Sequence, residues 1–533
     1  MAGETRANPS SAPFDPTAPG VLIVGAGPVG LVLAIELARR DVPIRIVDRL
    51  PRPTTESRAV VVHARSLEML DALGVAEEVI ATGQKTIAAA LYGDGKLLAR
   101  LPLDSVSTRF PFSVTTPQTE TERILTARLA TLGGAVERGT LFVGFDQDAG
   151  GLRAHLKRAD GVEETVRPDW LVGTDGGHST VRGAMGQRLD GSFQGERFLM
   201  GDVEAGHDLD RGTMQLFFSS TAGPGFVFPM LGRRVRVIAE ISDEADATRP
   251  ASLAWLRDVV AERQLGVRIE TAHWLTTFEI HHAQVDRYRA GRALLAGDAA
   301  HVHSPAGGQG MNTGMQDAFN LGWKLALVVS GAAREQLLDS YQRERHPVAA
   351  HVIATTTAMT QIGTAETRLQ RELRNHLVHA AGKLPFLRHR MANETEEMTV
   401  AYRDSPIVRA GRRGPVEAGD AAPDVREVGL WRLLGRDGAG TDGNHVILRV
   451  ADAADAIPTP PPMRGVRSVV VAAAPPEALD TLHDPQRSVA AVYGLGRAGG
   501  MVVIRPDGYV GTIADGDDPA PVRGYFERLL KGA

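Results

Sequence analysis

The sequence VLIVGAGPVG at residues 21–30 decides the fold. Four apolar β-forming residues lead into glycines at positions 25, 27 and 30, and an apolar helical pattern then continues to Arg40. In such a unit Gly25 permits the tight turn, Gly27 lets backbone N–H groups approach a pyrophosphate, and Gly30 lets the helix pack closely on the strand. The stretch therefore predicts a buried parallel strand followed by a phosphate-binding helix.

An acidic residue lies at the end of the next apolar strand. Asp48 follows Ile44-Arg45-Ile46-Val47, about twenty residues beyond the glycines, where a carboxylate accepts hydrogen bonds from a ribose. Together with the glycines, Asp48 predicts a bound adenine dinucleotide, and the motif leaves FAD and NAD equally open.

Length, composition and charge limit the class of protein. The chain has 533 residues, of which 43% are apolar and 23% charged, which indicates two to four globular domains. The formal net charge of −5 gives no electrostatic reason to expect nucleic acid as a partner. The first residues lack the apolar segment of a secretory signal, and no apolar run is long enough to span a bilayer. We therefore expect a cytoplasmic protein without a membrane partner that acts on small molecules.

The chain contains no cysteine. Disulfides, thiolate metal sites and Cys-x-x-Cys redox chemistry are thereby excluded, and with them the disulfide reductases that share the nucleotide motif. His281 and His282 are adjacent on a predicted strand and point to opposite faces, so they are not expected to bind one ion. The sequence predicts no metal site.

Two further clusters repeat the pattern of a strand that ends in a glycine-rich turn. Residues 170–182 form an apolar strand, then Asp175-Gly176, then a short helix that carries Arg182. Residues 292–301 form a strand that ends in Gly297-Asp298, followed by a glycine-rich loop to residue 314 and a helix predicted over 315–329. The backbone of such a loop can lie against a flat ligand. Each cluster taken alone is also compatible with an ordinary strand-to-helix turn.

With these three motifs in this order, the chain resembles the single-component FAD-dependent aromatic hydroxylases of the p-hydroxybenzoate hydroxylase type. It is most similar to the larger members that act on phenols and on aromatic polyketides, which suggests a role in antibiotic biosynthesis. The resemblance extends from about residue 20 to the C-terminus. It implies an α/β fold: a Rossmann-like FAD-binding domain with an inserted β-sheet substrate domain and a C-terminal thioredoxin-like domain.

The resemblance also implies domain bounds. They are a discontinuous FAD-binding domain at 19–190 and 285–400, a substrate domain at 191–284 joined by part of 88–114, and, following these, a thioredoxin-like domain at 421–533. Composition predicts a flexible tail at 1–18, rich in Pro, Ser, Ala and Thr, and a Pro/Gly-rich connector at 401–420 that leads into the thioredoxin-like domain. Because the thioredoxin-like domain has no cysteine, dithiol chemistry is excluded and a structural or interface role is expected.

The resemblance further implies which residues bind FAD. They are Gly25, Gly27, Gly30, Asp48, Arg49, Arg58, Gln118, Asp175, Arg182, Asp298, Pro305, Gly308, Gly310, Met311 and Asn312. In the family, the position of Arg58 lies near the flavin and the incoming nicotinamide, and the loop from Pro305 to Asn312 borders the isoalloxazine ring. Arg65 matches a familiar helix start, for which a structural role is equally expected.

The catalytic candidates are Arg58, Pro305 and His301. His301 adjoins the flavin-binding loop, where it either takes part in a proton relay or orients the flavin. Histidines at a strand-to-loop junction are also often structural.

Aromatic residues in the predicted inserted sheet suggest a substrate pocket. Strands are predicted at 213–218, 225–230, 235–241 and 274–282, and Phe226 and Phe228 alternate so that they share a face. Phe217, Phe226 and Phe228 are the predicted pocket residues, with core packing against a helix as the alternative. Such a wall suits a bulky polycyclic aromatic, and small phenols stay open.

The function implied is that of an NAD(P)H-consuming monooxygenase. FAD is reduced by NADH or NADPH, and one oxygen atom from O2 is inserted into a phenolic or polycyclic aromatic substrate through a flavin C4a-hydroperoxide. Two alternatives stay open: Baeyer–Villiger or epoxidising chemistry on a polyketide ketone or quinone, and a non-catalytic FAD-fold binding protein. The sequence also leaves open a monomer or a homodimer.

Overall fold

The computed structural model describes residues 15–192, 196–218, 223–241, 249–279, 281–304, 307–363, 368–409, 413–425, 433, 444–451, 463, 465–473 and 481–531. Most of the predicted flexible tail lies outside these residues. Its last part does not hang free, because the N–H of Arg167 donates to the carbonyl of Thr17 (2.8 Å) and the Arg45 guanidinium donates to the carbonyl of Pro16 (3.1 Å). The prediction of a tail to residue 18 is therefore wrong for residues 15–18, whose carbonyl groups accept hydrogen bonds from Arg167 and from the side chain of Arg45 on β2.

The described strands are β1 (Val21–Val24), β2 (Ile44–Asp48), β3 (Val61–Val62), β4 (Gln84–Thr86), β5 (Ala88–Gly93), β6 (Lys96–Pro102), β7 (Ser113–Thr115), β8 (Val136–Arg138), β9 (Thr140–Asp148), β10 (Gly151–Arg158), β11 (Glu163–Val166), β12 (Trp170–Gly173), β13 (Asp190–Ser192), β14 (Arg197–His207), β15 (Thr213–Phe218), β16 (Pro224–Pro229), β17 (Arg234–Glu240), β18 (Val267–Glu279), β19 (His282–Gln284), β20 (Arg289–Ala290), β21 (Ala293–Leu295), β22 (His301–Val302), β23 (His445–Val450), β24 (Val466–Ala472), β25 (Thr481–His483), β26 (Gly500–Ile504) and β27 (Val510–Asp515).

The described α-helices are α1 (Pro28–Ala38), α2 (Ala64–Ala72), α3 (Ala76–Thr82), α4 (Gln118–Thr131), α5 (Thr180–Ala184), α6 (Leu253–Glu262), α7 (Gly310–Val329), α8 (Asp339–Gly363), α9 (Arg368–Lys383), α10 (Pro385–Thr395), α11 (Ser488–Val492) and α12 (Ala520–Leu529). Short 3-10 turns lie at Leu103–Ser105, Gly297–Ala299 and Glu335–Leu338.

The first sheet has six strands in the order β20-β21-β12-β1-β2-β8, and all but β20 are parallel. Every residue of β1 is buried, as expected for a continuous apolar run in a parallel sheet. The three motifs predicted from sequence follow β1, β12 and β21, which are neighbours. Because carboxyl ends of parallel strands meet at one edge, the glycine turn after β1, Asp175 and Gly297 come together there.

The second large sheet has seven strands in the order β18-β14-β17-β16-β15-β5-β6. Strands β5 and β6 join it from the 88–114 segment, as expected. The 11-residue strand β14, which pairs with both β17 and β18, was absent from the predicted strands.

Alternation along β15 separates the predicted pocket residues. Phe226 and Phe228 lie in the apolar cluster on one face of the sheet with Leu216 and Phe218, whereas Phe217 lies in the cluster on the other face, which includes α6. The Phe217 ring stacks on Tyr92 at 4.9 Å. The prediction that Phe217 shares a pocket with Phe226 and Phe228 is therefore wrong, because adjacent residues of a strand point to opposite faces.

The C-terminal region forms a mixed five-stranded sheet in the order β25-β24-β23-β26-β27. Strands β23, β24 and β25 are parallel, whereas β26 pairs antiparallel with β23 and β27 pairs antiparallel with β26, which is a thioredoxin-like arrangement. The predicted connector contains neither helix nor strand in its described parts, 401–409 and 413–420, and its Val416 packs into the C-terminal core.

None of the helices within the described ranges combines the length and apolar character needed to cross a membrane.

Candidate functional site

The turn between β1 and α1 is shaped by its three glycines. Gly25 has φ = +102°, in the region that favours glycine, and a Cβ on Gly30 would lie 2.0 Å from the carbonyl oxygen of Gly25. A Cβ on Gly27, by contrast, would meet no atom within 4 Å. Two of the glycines are thus required by protein packing, while the third faces open space where a ligand can approach the backbone.

Asp48 lies beside this turn, as predicted. Its Oδ2 accepts the N–H of Ala26 at 2.8 Å and its Oδ1 accepts the N–H of Leu50 at 2.8 Å. The guanidinium of Arg138 is 3.6 Å away, and Arg49 next to it is exposed. The carboxylate therefore braces the glycine turn from the neighbouring strand end.

Asp175 and Arg182 hold the second turn together. The carboxylate of Asp175 accepts N–H groups of Thr180 (2.7 Å) and Val181 (3.2 Å) at the start of α5. The Arg182 guanidinium donates to the carbonyls of Gly177 (2.6 Å) and Ala299 (3.3 Å). Arg182 thereby ties the second motif to the third one.

The third motif differs from its prediction at the start of the helix. Helix α7 begins at Gly310, not at Met315, so that Gly310, Met311 and Asn312 form its first turn. The amide of Asn312 explains this early start, because its Nδ2 donates to the carbonyls of Gly308 (2.8 Å) and Val61 (2.9 Å). We call residues 307–312 the flavin loop, after the role that the resemblance implies for this segment. Pro305, a predicted site residue, lies outside the described residues.

Asp298 and His301 follow β21 with different surroundings. Asp298 is exposed, whereas the His301 ring is buried and its Nε2 lies 2.7 Å from the Oδ2 of Asp317 on α7. Asp317 also accepts the Arg345 guanidinium (2.6 Å) and the N–H of Gly297 (3.1 Å). Burial raises the pKa of Asp317, but Arg345 and His301 more than offset this and hold it below its usual value. This network fixes α7 to the end of β21 and favours the structural alternative for His301.

His303 lies at the other side of the helix start. A Cβ on Gly310 would be 3.7 Å from the His303 ring, whose Nδ1 is 2.9 Å from the carbonyl of Ser304. Burial and the neighbouring His301 lower the pKa of His303 to about 4. The ring is therefore neutral at neutral pH, beside a helix N-terminus that disfavours a cation.

Arg58 and Gln118 are connected through the segment before β3. The side chain of Arg58 is 75% exposed and 3.5 Å from Glu56. The Oε1 of Gln118 accepts the N–H of Ala59 at 3.1 Å, and its Nε2 donates to Glu122 at 2.8 Å. Arg58 is thus free to reach a ligand, whereas Gln118 already holds the backbone next to it.

A buried arginine that no sequence motif singles out supports the same segment. Arg236 on β17 donates to Ser57 Oγ (2.7 Å) and to the carbonyl of Arg58 (3.1 Å), and pairs with Asp202 on β14 (2.6 Å). Since Arg236 and Ser57 are 179 residues apart, no local pattern indicates this contact. The inserted sheet therefore positions the segment that carries Arg58.

The face of the sheet that carries Phe226 and Phe228 lies against the flavin-loop side of the first domain. Val60, Val61 and Ala64 belong to the same buried apolar cluster as these two phenylalanines. A Cβ on Gly308 would be 2.9 Å from the Cβ of Val61. Val61 therefore belongs to the apolar wall around Phe226 and Phe228 and also packs against Gly308 of the flavin loop.

The predicted Arg65 and the histidine pair have structural partners. Arg65 is buried against Glu68, with its guanidinium 5.6 Å from the Tyr509 ring of the C-terminal domain. His282 is paired with Glu196 (2.9 Å). The part of the chain that the structure describes contains no group of three or more His, Cys, Asp or Glu side chains that could hold a metal ion.

The donor set fits FAD. The N-terminus of α1 at Gly27 and that of α7 at Gln309 have no side-chain cap, so their N–H groups are available to anionic phosphates and to a flavin carbonyl. Gly27 and Gly176 both face space that a Cβ would enter without meeting protein. The cradle is thus open at the positions where a dinucleotide needs close approach to the backbone.

Comparison with known protein families agrees with this geometry. Residues 19–356 match the family described as FAD binding domain. Residues 477–533 match the phenol hydroxylase C-terminal dimerisation domain.

Similar proteins cover nearly the whole chain. The 6-methylpretetramide 4-monooxygenase of Streptomyces rimosus is 36% identical over 93% of this chain and 91% of that protein. Pentachlorophenol 4-monooxygenase of Sphingobium chlorophenolicum is 37% identical over 80% of this chain and 79% of its own length. The solved structure of OxyS anhydrotetracycline hydroxylase from Streptomyces rimosus superposes with a TM-score of 0.75 at 29% identity, over 96% of this chain and 99% of that one. The chain belongs to the FAD-dependent aromatic monooxygenases, and it is an FAD-dependent enzyme of that family.

Proposed function

We propose that this enzyme uses NADH or NADPH and O2 to insert one oxygen atom into a phenolic or polycyclic aromatic substrate. The observation that supports this most directly is the apolar wall of Phe226 and Phe228, whose cluster includes Val61, the residue that packs against Gly308 of the flavin loop. The relatives named for pentachlorophenol and for 6-methylpretetramide act on a phenol and on a polycyclic polyketide. A bulky polycyclic aromatic is the substrate that we favour.

FAD, when bound, supplies the transfer of reducing equivalents from the nicotinamide and the activation of O2. The protein's part is to bind, orient and exclude water. The N–H groups at the start of α1 would bind the pyrophosphate, and Asp48 would accept hydrogen bonds from the ribose. Asp298 and the first turn of α7, together with Gly308, Gly310, Met311 and Asn312, would hold the remaining part of the cofactor.

Arg58 is our candidate for contacting the nicotinamide and the flavin edge. Its side chain is exposed, and its backbone is fixed by Arg236 and Gln118. A cation there can attract the pyrophosphate of the nicotinamide co-substrate. We expect Arg58→Ala to raise KM for NAD(P)H about tenfold, because a charge-assisted hydrogen bond contributes about 1.5–3 kcal/mol. Steady-state kinetics measures this, and Arg52→Ala, an exposed arginine of the same loop, is the matched control.

The proposed function is tested on the purified protein. We expect a flavin absorption spectrum, NAD(P)H oxidation stimulated by phenols or polycyclic ketones, and products that are heavier by one oxygen atom in mass spectrometry. Hydroxylation and Baeyer–Villiger insertion give the same mass, so the presence of a lactone in the product decides between them. A protein that cannot be loaded with FAD, or that oxidises no NAD(P)H with any such compound, would contradict the proposal.

We further propose a homodimer, supported by the match of residues 477–533 to a dimerisation domain. Light scattering on the FAD-loaded protein should give twice the chain mass of 56.9 kDa. A mass equal to one chain at micromolar concentration would leave the C-terminal domain with an intramolecular role. The cytoplasmic location stays a prediction.

A further inference from the structure

A buried histidine holds the flavin loop from behind. His63 precedes α2, is 0% exposed, and its Nε2 lies 2.8 Å from the carbonyl oxygen of Gly307. Its backbone N–H donates to the Oδ1 of Asn312 at 3.0 Å. One residue therefore contacts the loop at Gly307 and at Asn312, at its two ends.

The hydrogen-bond partners of the His63 ring indicate that the imidazole is charged. The Ser113 hydroxyl donates its single hydrogen to Glu396 Oε1 at 2.7 Å, so its oxygen accepts from His63 Nδ1 at 3.0 Å. The carbonyl of Gly307 only accepts, so Nε2 is also a donor. Both ring nitrogens then carry hydrogen, and His63 is an imidazolium paired with a carboxylate that is 3.7 Å away.

The surrounding charges agree with this assignment. Burial opposes the charge on His63, but the hydrogen-bonded network to Glu396 and the fields of Glu396 and Glu397 raise its pKa above the usual value. These two carboxylates are the charged groups that face the ring; the contacts from β7 and from the flavin loop are the neutral Ser113 and the carbonyl of Gly307.

Glu397, the residue after Glu396, contacts the first turns of α7 directly. Glu397 accepts hydrogen bonds from the Thr313 hydroxyl (3.0 Å) and from the Gln316 amide, and it is buried. Its φ is +57°, a left-handed conformation that is costly for a residue other than glycine. The surrounding contacts maintain this strained backbone, and the two adjacent carboxylates have different partners: Glu396 contacts Ser113 and His63, whereas Glu397 contacts α7.

We propose that His63, Glu396 and Glu397 are positioning residues that hold the flavin loop in the form that accepts FAD. They act through the carbonyl of Gly307, the amide of Asn312 and the first turns of α7. We call this group the latch. The inference rests on the proposed function, and it adds a determinant of cofactor affinity contributed by the segment after α10.

The first test measures FAD affinity by titrating the full-length apoprotein. His63→Asn removes the charge and the contact with Gly307, and we expect the Kd for FAD to rise at least tenfold. Glu396→Gln keeps the shape of the side chain but removes the carboxylate, and we expect a smaller rise in the same direction. The matched control is His273→Asn, which removes a histidine of β18 whose Nε2 is 2.9 Å from the carboxylate of Glu204, and for which we expect a Kd within twofold of the wild type.

The second measurement is the pH dependence of FAD affinity in the wild type and in Glu396→Gln. Because the pKa of His63 is raised, the charged latch is complete at low pH and is lost as the pH rises through that pKa. FAD affinity should therefore weaken as the pH rises, and Glu396→Gln should move this transition to lower pH by at least one unit. A merely structural histidine would change the thermal stability of the apoprotein without moving this profile.

The outcomes separate the two proposals. If wild-type protein binds no FAD, the proposed function fails. If wild type binds FAD but His63→Asn binds it within twofold, the latch is overturned while the proposed function stands. If His63→Asn does not fold, an unshifted pH profile in Glu396→Gln overturns the latch and a shifted one supports it.

Discussion

The two helix N-termini that meet at the cofactor site are built in different ways. The turn before helix α1 is shaped mainly by its own sequence neighbourhood, through Gly25, Gly30 and the strand end at Asp48, with one distant side chain, Thr174, donating to the carbonyls of Val24 and Gly25. Helix α7 is positioned by side chains from distant segments: His63 and Asn312 are 249 residues apart, and the Thr313–Glu397 contact spans 84. The start of α1 requires glycine, because a side chain at Gly25 or Gly30 would collide with neighbouring backbone atoms. The start of α7 depends on buried polar side chains that must each find a partner.

The far half of α7 shows the same dependence on distant residues. Arg505 of the C-terminal domain makes two 2.8 Å contacts with Glu344, and Lys324 on α7 reaches that same carboxylate at 2.6 Å. Trp323 and Asn320 on α7 both donate to Asp507 at 3.1 Å. The C-terminal domain thus fixes the helix whose first turn lines the flavin loop.

The largest expected loss of stability and FAD binding comes from changing the start of α1. Gly30→Ala places a Cβ 2.0 Å from a carbonyl oxygen, which forces the strand and helix apart, and we expect a loss of more than about 3 kcal/mol with no bound FAD. Gly27→Ala meets no protein atom, so we expect a folded apoprotein with reduced FAD affinity. Thermal unfolding and flavin content measure both. Equal behaviour of the two variants would show that this terminus is not built on packing.

The next largest loss of stability is expected from breaking the contacts at the C-terminal half of α7. Arg505→Met leaves Glu344 and Asp507 buried with fewer partners, and we expect a loss of about 3–5 kcal/mol in the free energy of unfolding. The control Arg123→Met breaks two exposed pairs of α4, with Glu120 and with Glu78 on α3, and should cost no more than about 1 kcal/mol. Chemical denaturation provides the comparison. A similar small loss for both would mean that the buried network contributes little to holding α7.

A smaller effect is expected from pH at the start of α7. His303 has its pKa lowered to about 4, so between pH 6.5 and 4 the unfolded chain binds a proton that the folded chain does not. This contribution to stability is present above about pH 6.5 and is lost as the pH falls, by about 1 kcal/mol at pH 5.5. Denaturation of wild type and His303→Asn between pH 7 and 5 measures it. A loss of equal size in the variant would assign the effect to other groups.

The smallest effect separates the two faces of the seven-stranded sheet. Phe226→Leu and Phe217→Leu should each cost about 1 kcal/mol of stability, because both rings are buried and the replacement keeps most of the volume. Only Phe226→Leu should also change KM for the aromatic substrate, because its face lies on the flavin-loop side. A KM change in Phe217→Leu alone would move the substrate to the α6 side.

Local sequence was sufficient for the parts of the site that lie in one strand–turn–helix unit. The three motifs, their strands and the positions of Asp48 and Asp175 were predicted, since each depends on a few adjacent residues. The start of α7 was placed five residues too late, because glycines at 307, 308, 310 and 314 indicate a loop. Contacts of Asn312 with Val61 and Gly308 favour the helix instead.

Side-chain partnership across the chain could not be predicted. Phe217 was assigned to the pocket because it is aromatic. Its face of the sheet follows only when strand alternation is combined with the pairing of β15 and β16. Arg236, His63, Asp317 and Glu396 carry no local signal, since each is an ordinary polar residue until its buried partner is known.

The sequence by itself determined that glycine-rich strand ends form a dinucleotide cradle, and its resemblance identified the family of FAD-dependent aromatic hydroxylases. This is possible because these backbone turns need glycine at fixed spacing, and the glycines of one turn lie within a few residues of each other in the sequence. Only the tertiary structure decided how the second half of the cradle is held. Buried charges are stable only when paired, and pairs such as His63 with Glu396 or Lys324 with Glu344 form only where the fold brings distant segments together.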